Sequence, residues 1–210
     1  LAISGALNDF SLTVVRHVIE NEHLGRLIYS GGDDVFAMLP VADLLAAMQR
    51  LRCAYSGHDP KHEGGAPGRG LALRNGFAML NGRLMRMMGT KATASCGAVI
   101  AHHQAPLTFV RRELAAAEKR AKSEGGRDAF SITIVKRSGG ALYLTEKWGQ
   151  PLNLLALLRD FLAMGDVSRR AAYHVLEWLN EHELPESAFC NGMIQSLLTY
   201  QLDRQAKGSA

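Results

Sequence analysis

The stretch RLIYSGGDDVFAML, residues 26–39, restricts the possible folds of this chain more than any other segment. Two short apolar segments flank two glycines and two aspartates, which is typical of a β-hairpin with buried strands and a polar tip. Neighbouring side chains of a strand point to opposite faces, so Asp33 and Asp34 can serve one site only where the backbone turns. The sequence therefore predicts a tight hairpin in which Gly31 and Gly32 supply positive φ angles and bring both carboxylates to one edge.

Two carboxylates at a hairpin tip are suited to bind magnesium or manganese. Magnesium binds one or two carboxylates together with substrate phosphates, and two such ions activate an attacking hydroxyl and stabilise the leaving group. We therefore identify Asp33 and Asp34 as candidate metal ligands and catalytic residues. Asp34 is the stronger candidate for the metal, and Asp33 is also a candidate base. Because Asp and Gly are common in turns, an acidic turn without a function is the alternative.

The order of elements around the hairpin predicts an α+β fold. Helical periodicity comes before it, and the chain then continues as helix, strand, helix and strand, in the segments 6–23, 41–57, 93–102, 106–126 and 128–139, with a possible short partner strand at 141–148. One further strand in front, which is not present in this sequence, would give the βαββαβ sheet of a ferredoxin-like or palm domain. Only helical patterns follow, so we predict a palm domain over residues 1–149 and a small all-α domain over residues 150–210.

Composition narrows the class of protein and its partners. No apolar run reaches the roughly 18 residues of a membrane span, and the three cysteines are too far apart for a disulfide framework, which favours the cytoplasm. The net charge is +4, which makes an anionic partner plausible. Positive charge is concentrated between Arg52 and Lys91 in a glycine-rich stretch, which we interpret as a mobile basic loop that could contact RNA or a neighbouring subunit.

These motifs resemble a known group of enzymes. The SGGDD hairpin in a βαββαβ order resembles the GGDEF diguanylate cyclases and class III nucleotidyl cyclases, and AAAEKRAKSEGGRDAFSI, residues 115–132, resembles the end of the corresponding helix in that group. A lysine there reaches the substrate phosphates. The resemblance assigns this role to Lys122, with Arg127 as a weaker match.

The chain is more similar to the second palm domain of the large polymerase-like subunit of type III CRISPR effector complexes, of the Cmr type. The similarity extends over residues 3–41, residues 88–107, the AEKRAK helix, the KRSGG turn and the helical tail. It implies a nucleotidyltransferase that uses ATP, with Mg²⁺ or Mn²⁺, to make cyclic oligoadenylates when the complex captures target RNA. The implied partners are other effector subunits, guide RNA and target RNA.

Within the matched stretches, five residues are candidates for nucleotide binding. The N–H groups at the start of the first helix, near Ser4, can meet a phosphate. Beside the carboxylates, the candidates are Ser30, Gly31 and Gly32, and Lys122 completes the set. A helix cap for Ser4, an ordinary turn residue for Ser30 and a solvated lysine for Lys122 are the alternatives.

The sequence also departs from the full family pattern. It contains neither the strand before the first helix, which carries another metal-binding aspartate, nor the first palm domain, the zinc-binding module and the HD nuclease domain. Two further functions therefore stay open. One is a non-catalytic scaffold subunit with a degenerate palm. The other is a diguanylate or mononucleotide cyclase, and the presence of Asp34-Val35 in place of the Glu-Phe pair of the GGDEF motif argues against it.

Overall fold

The secondary structure follows the predicted order and adds three strands. The structure, a computed structural model, describes residues 2–60, 70–163, 196 and 199–200. A helical run opens the chain, with α1 (Ala2–Asp9), the π-helical turn π1 (Phe10–Val14), α2 (Val15–His17) and a second π-helical turn π2 (Val18–Glu22). It is followed by β1 (Arg26–Gly31), β2 (Asp34–Met38), α3 (Val41–Ser56), β3 (Ala72–Arg74), β4 (Phe77–Leu80), β5 (Arg83–Arg86), β6 (Cys96–Ile100), α4 (Leu107–Ser123), β7 (Ala129–Val135), β8 (Ala141–Lys147) and α5 (Gln150–Ala163).

The chain divides into two compact units, Leu1–Leu152 and Asn153–Ala210. Most of the predicted all-α domain lies outside the described residues, so its boundary at residue 150 stays a prediction. Among the described helices, none is both long and apolar enough to cross a lipid bilayer.

The helical run buries one apolar face. Along this face, two of its turns are π-helical, with backbone hydrogen bonds that span five residues instead of four. The amide of Val15 donates to the carbonyl of Phe10, five residues earlier, which is the bond of a π turn. Steps of four to five residues keep the buried side chains on one side of the run, and these are Phe10, Val14, Val15, Val18 and Ile19. They form the centre of the hydrophobic core.

The hairpin β1–β2 packs one face against this core. Leu27, Val35, Ala37 and Leu39 are its partly buried contacts, and Cys53 and Ala54 of α3 belong to the same core. The strands of the hairpin are therefore fixed by packing, while the tip extends beyond the core.

Residues 72–86 are not a mobile loop, and that part of the prediction is wrong. They form a three-stranded antiparallel sheet, β3–β4–β5, which we call the meander. Two-residue turns with positive φ at both positions join its strands, as in type I′ turns, and these turns are Asn75-Gly76 and Asn81-Gly82. One face is buried in the core through Leu73, Ala78, Leu80 and Met85.

A second layer is formed by α4 on the sheet β6–β7–β8, in which β6 and β7 are parallel and β7 and β8 are antiparallel. The helix comes close to the sheet because it turns Ala117 and Ala121 inward and faces Gly97, where a Cβ atom would clash with the backbone nitrogen of Glu118. The described strands form three separate sheets. In a complete βαββαβ sheet the strand before the first helix is a central strand, and no described residue takes its place.

Arg50 of α3 joins four segments of the first unit. Its guanidinium donates to both carboxylate oxygens of Glu22, at 2.8 and 3.0 Å, and to Asp59 at 2.7 Å. It also donates to the carbonyl oxygen of Leu71 at 2.5 Å. Burial opposes the charge of Arg50, but the bond to Glu22 and the negative charges of Glu22 and Asp59 raise its pKa above the ordinary value. The network ties π2, α3 and the residue before β3 to one another.

Candidate active site on the Gly-Gly-Asp-Asp hairpin

The hairpin turns through two residues, Gly32 and Asp33. Gly31 pairs with Asp34 across the strands, and only Gly32 has a positive φ, of 62°. A positive φ at the first turn position alone is the geometry of a type II′ turn. The prediction that Gly31 also supplies a positive φ is wrong, because Gly31 belongs to β1. Glycine is favoured at this position for a steric reason, because a Cβ atom there would clash with the phenol oxygen of Tyr29.

The two carboxylates are exposed at this tip. Asp33 lies in the turn and Asp34 is the first residue of β2. Within the described part of the chain, neither carboxylate takes part in a hydrogen bond or an ion pair. Their oxygens are therefore available to an external ligand, and their role as metal ligands stays a prediction.

The metal-binding capacity of the tip is limited to these two side chains. Over residues 2–60 and 70–163, no group of three or more His, Cys, Asp or Glu is arranged to hold a metal ion. Magnesium and manganese fit such a site only when substrate phosphates and water supply the other ligands, which is the usual way magnesium is bound beside a nucleotide. The pair Asp33 and Asp34 thus fits a metal–nucleotide complex better than a free ion.

Tyr55 is a further candidate for this site, which sequence reasoning missed. It lies in the last turn of α3, where its ring packs edge-on against Phe10 with 5.2 Å between the centroids. Burial raises the pKa of the Tyr55 phenol, and the negative charge of Asp33 raises it further. The phenol therefore keeps its proton near the tip. No local pattern marks Tyr55, because its position depends on how α3 packs against π1.

Ser30 lies two residues before Gly32, on the core-facing side of the hairpin. It pairs with Val35 in the hairpin register, and Val35 packs against the core. Its hydroxyl oxygen is buried and finds no hydrogen-bond partner among the described residues. Because neighbouring side chains of a strand point to opposite faces, this hydroxyl and the Asp34 side chain lie on opposite faces of the hairpin, and the role of Ser30 in nucleotide binding stays a prediction.

The other two candidates lie elsewhere. Ser4 is exposed within the first turn of α1, which already begins at Ala2, so Ser4 is not the residue that caps the helix. Lys122 is in the last turn of α4, where its Nζ lies 2.5 Å from a carboxylate oxygen of Glu118. No hydrogen bond or ion pair in the described part of the chain joins Ser4 or Lys122 to the hairpin, and their roles stay predictions.

The loop after α4, which contains the weaker match Arg127, has an unusual backbone. Gly126, Arg127 and Asp128 all have positive φ, of 63°, 59° and 44°. Three long-range bonds hold them, from Arg52 to Asp128 at 2.6 Å and from Lys147 to the carbonyls of Gly126 and Arg127 at 3.1 and 2.7 Å. This conformation is uncommon outside glycine, and the three bonds explain how it persists here.

Comparison with known proteins gives a consistent result. A family model described as Cas10/Cmr2, second palm domain, matches residues 1–131. The CRISPR system Cmr subunit Cmr2 of Pyrococcus furiosus is 30% identical over 187 residues, covering 84% of this chain and 18% of that protein. Cmr2 of Saccharolobus solfataricus is 36% identical over 110 residues, covering 52% of this chain and 10% of that protein. The chain thus spans less than a fifth of either relative.

The fold comparison agrees. A chain in the cryo-EM structure of type III-B Cmr-beta in the apo state aligns with a TM-score of 0.65 and 20% sequence identity. The alignment covers 94% of this chain and 21% of that chain. Together with the family match, it confirms the predicted α+β, palm-type fold.

Proposed function

The chain belongs to the Cas10/Cmr2 family, whose second palm domain it carries, and from this premise we propose that its Gly-Gly-Asp-Asp hairpin catalyses nucleotidyl transfer with ATP. The 3′-hydroxyl of one adenylate attacks the α-phosphate of an ATP, a new phosphodiester bond forms, and pyrophosphate leaves. Repetition and ring closure yield a cyclic oligoadenylate. The protein acts in the cytoplasm as part of a type III CRISPR effector complex with other subunits and guide RNA, and target RNA activates it.

One observation supports this function more than any other. Two exposed carboxylates, which have no hydrogen-bond or ion-pair partner among the described residues, lie at the tip of a hairpin that packs against the core. Magnesium or manganese bound there supplies the Lewis acid that activates the 3′-hydroxyl and offsets charge on the phosphates. Asp34 holds the ion from the start of β2. Asp33, in the turn itself, either shares the ion or accepts the proton of the hydroxyl. Gly31 and Gly32 leave the main chain uncovered, so that a phosphate or base can approach.

The neighbouring side chains act on the nucleotide. The protonated phenol of Tyr55 donates a hydrogen bond to a phosphate or sugar oxygen held near Asp33. Lys122 exchanges its exposed ion pair with Glu118, worth about 0.3–0.5 kcal/mol for such helix pairs, for the larger charge of a triphosphate.

The test uses the full-length subunit assembled with guide and target RNA. The complex is incubated with ATP and manganese, and the products are resolved by mass spectrometry, beside an Asp33→Ala/Asp34→Ala variant. Glu146→Ala is the matched control, because it removes an exposed carboxylate from β8. We expect cyclic oligoadenylates from wild type and control, and none from the double variant. An assembled, RNA-bound wild type that makes no product from ATP would refute the proposal. A product formed when GTP replaces ATP would indicate a diguanylate or mononucleotide cyclase.

A scaffold role is the second candidate. It is favoured by the absence, over residues 2–60 and 70–163, of a third metal-ligating side chain at the hairpin. Binding of labelled ATP separates the two functions. A cyclase binds ATP more tightly when manganese is present and loses this dependence in the Asp33→Ala/Asp34→Ala variant, whereas a scaffold shows no such dependence.

A further inference from the structure

The outer face of the meander combines aromatic, apolar and basic side chains in two rows. In the first row, Phe77 of β4 lies directly between Arg74 of β3 and Arg86 of β5. In the second row, Met79 lies between Ala72 and Leu84. Directly opposed residues on neighbouring strands have Cβ atoms only about 5 Å apart. The ring of Phe77 is therefore flanked by two guanidinium groups on one surface.

This face is open to solvent. Phe77 is 42% exposed and Leu84 is 62% exposed. The meander's strands are joined by two-residue turns, which are too short to fold over the sheet. Within the described part of the chain, neither Arg74 nor Arg86 forms an ion pair or a hydrogen bond. Both charges are thus free to meet an external anion.

The segment of sequence that contains the meander is rich in basic residues, two of which form ion pairs, Arg83 with Asp9 and Arg112 with Glu113. From Gly70 to Arg112 the sequence contains no aspartate or glutamate, and it contains six basic residues, Arg74, Arg83, Arg86, Lys91, Arg111 and Arg112. A protein partner would have to offer carboxylates to both arginines and an apolar group to Phe77. A single-stranded nucleic acid offers both features in every nucleotide, as a phosphate and a base with a flat π face.

The meander is also held firmly in place. Its opposite face is buried in the core, and its end near Phe77 is bonded to the end of α3. The amide of Gly76 donates to the carbonyl of Gly57 at 3.0 Å, and the amide of Met88 donates to the carbonyl of Tyr55 at 3.1 Å. A surface that does not reorganise on binding loses less free energy to ordering.

We infer that the outer face of the meander binds single-stranded RNA, with one base stacked on Phe77 and the flanking phosphates bound by Arg74 and Arg86. The choice of RNA over DNA rests on the proposed function, in which RNA activates the protein. The stacking and phosphate contacts rest on the face alone and do not involve the Gly-Gly-Asp-Asp hairpin.

The experiment measures fluorescence anisotropy of a labelled single-stranded RNA of about 12 nucleotides, within the usual size of such sites, titrated with the 210-residue chain. The same sequence as DNA and as an RNA duplex provides the comparison. Phe77→Ala removes the stacking ring, Phe77→Trp keeps it, and Arg74→Ala/Arg86→Ala removes the phosphate contacts. Arg83→Ala is the matched control, because Arg83 is on the same strand β5 but pairs with Asp9 at 2.7 Å. Circular dichroism verifies that each variant is folded.

We expect Phe77→Ala to weaken RNA binding between roughly fivefold and a hundredfold, and Phe77→Trp to retain it. The arginine double variant lowers the salt dependence of log K by about 0.7 per lost phosphate contact, while Arg83→Ala leaves it unchanged. Asp33→Ala/Asp34→Ala binds RNA like wild type, which separates this inference from the catalytic proposal. Equal effects of Phe77→Ala and Arg83→Ala, equal binding of the duplex, tighter binding of the DNA, or no RNA binding would each overturn it.

Discussion

Replacement of Arg50 by methionine is expected to cause a large loss of stability. Methionine keeps much of the side chain's volume and removes its charge and all of its bonds. The Asp59 side chain is only 7% exposed, and removing one partner of a buried ion pair costs about 3–5 kcal/mol. The Glu22 side chain, at 22% exposure, adds at most about 1 kcal/mol because solvent screens it. We expect the free energy of unfolding of the first unit to fall by roughly 3–5 kcal/mol.

Urea denaturation measures this change. Trp148 belongs to the first unit, where it packs against Phe130, so its fluorescence in a Trp178→Phe background reports on that unit. With a urea dependence of about 1–3 kcal/mol/M, the midpoint falls by at least about 1 M. Asp59→Asn removes one charge and leaves the Glu22 bonds, so we expect a smaller loss. A loss below about 1 kcal/mol for Arg50→Met would show that the network does not hold these segments together.

Three further predictions concern the site and its support. Gly57→Ala places a Cβ atom 2.5 Å from the carbonyl carbon of Gly76 at a φ of 67°, so we expect a loss of at least about 1–2 kcal/mol in a thermal melt, and an unchanged melting temperature would refute the contact. Asp33→Asn removes the charge that, after burial, raises the pKa of the Tyr55 phenol. The ultraviolet titration of the Tyr55 phenol, obtained as the difference from the Tyr55→Phe variant, should therefore move to lower pH. An unchanged titration would contradict the proximity of Tyr55 and Asp33. Burial and the nearby Glu118 raise the pKa of the Cys96 thiol to about 12, so this partly exposed thiol should react much more slowly with a disulfide reagent at pH 8 in the native chain than in the unfolded chain, and equal rates, with Cys96→Ser as the reference, would contradict the raised pKa. Because this thiol ionises at lower pH in the unfolded chain, its contribution to stability is constant below about pH 9 and falls between pH 9 and 12.

The elements that depend on local chemistry were predictable from the sequence. The hairpin was identified from two apolar segments around glycine and aspartate, and α3 ends as predicted at Gly57, which adopts the left-handed conformation. Pro106 starts α4, and Gly125 follows its end, with an amide that donates to the carbonyl of Arg120 at 2.9 Å. Each of these features is decided within a few residues, so the sequence contains the necessary information.

The meander was missed although its turns carry a strong signal. Asn75-Gly76 and Asn81-Gly82 are the dipeptides most typical of type I′ hairpins. The strands are only three or four residues long, and their outward positions mix arginine with apolar residues, so no alternating pattern marks them and the glycine-rich composition indicates a loop. The buried positions Leu73, Ala78 and Met85 become a pattern only when the strands are placed in register.

The sequence could place candidate site residues near one another only where they are contiguous. Asp33 and Asp34 are neighbours at one hairpin tip, and their proximity follows from the turn. Tyr55 comes near Asp33 because α3 packs against π1, and this depends on the core as a whole. Proximity across such a sequence separation is set by tertiary packing, which periodicity and turn chemistry do not describe.

Tyr55 belongs to two parts of the molecule at once. Its main chain carbonyl accepts the bond from Met88, just beyond the meander, and its ring stands near Asp33. No loop lies between these two attachments that could absorb movement, because both are on the same residue. The meander and the hairpin tip are therefore mechanically coupled through a single residue. If the meander moves by more than a hydrogen bond tolerates, either the bond from Met88 to Tyr55 breaks or the Tyr55 phenol moves relative to Asp33.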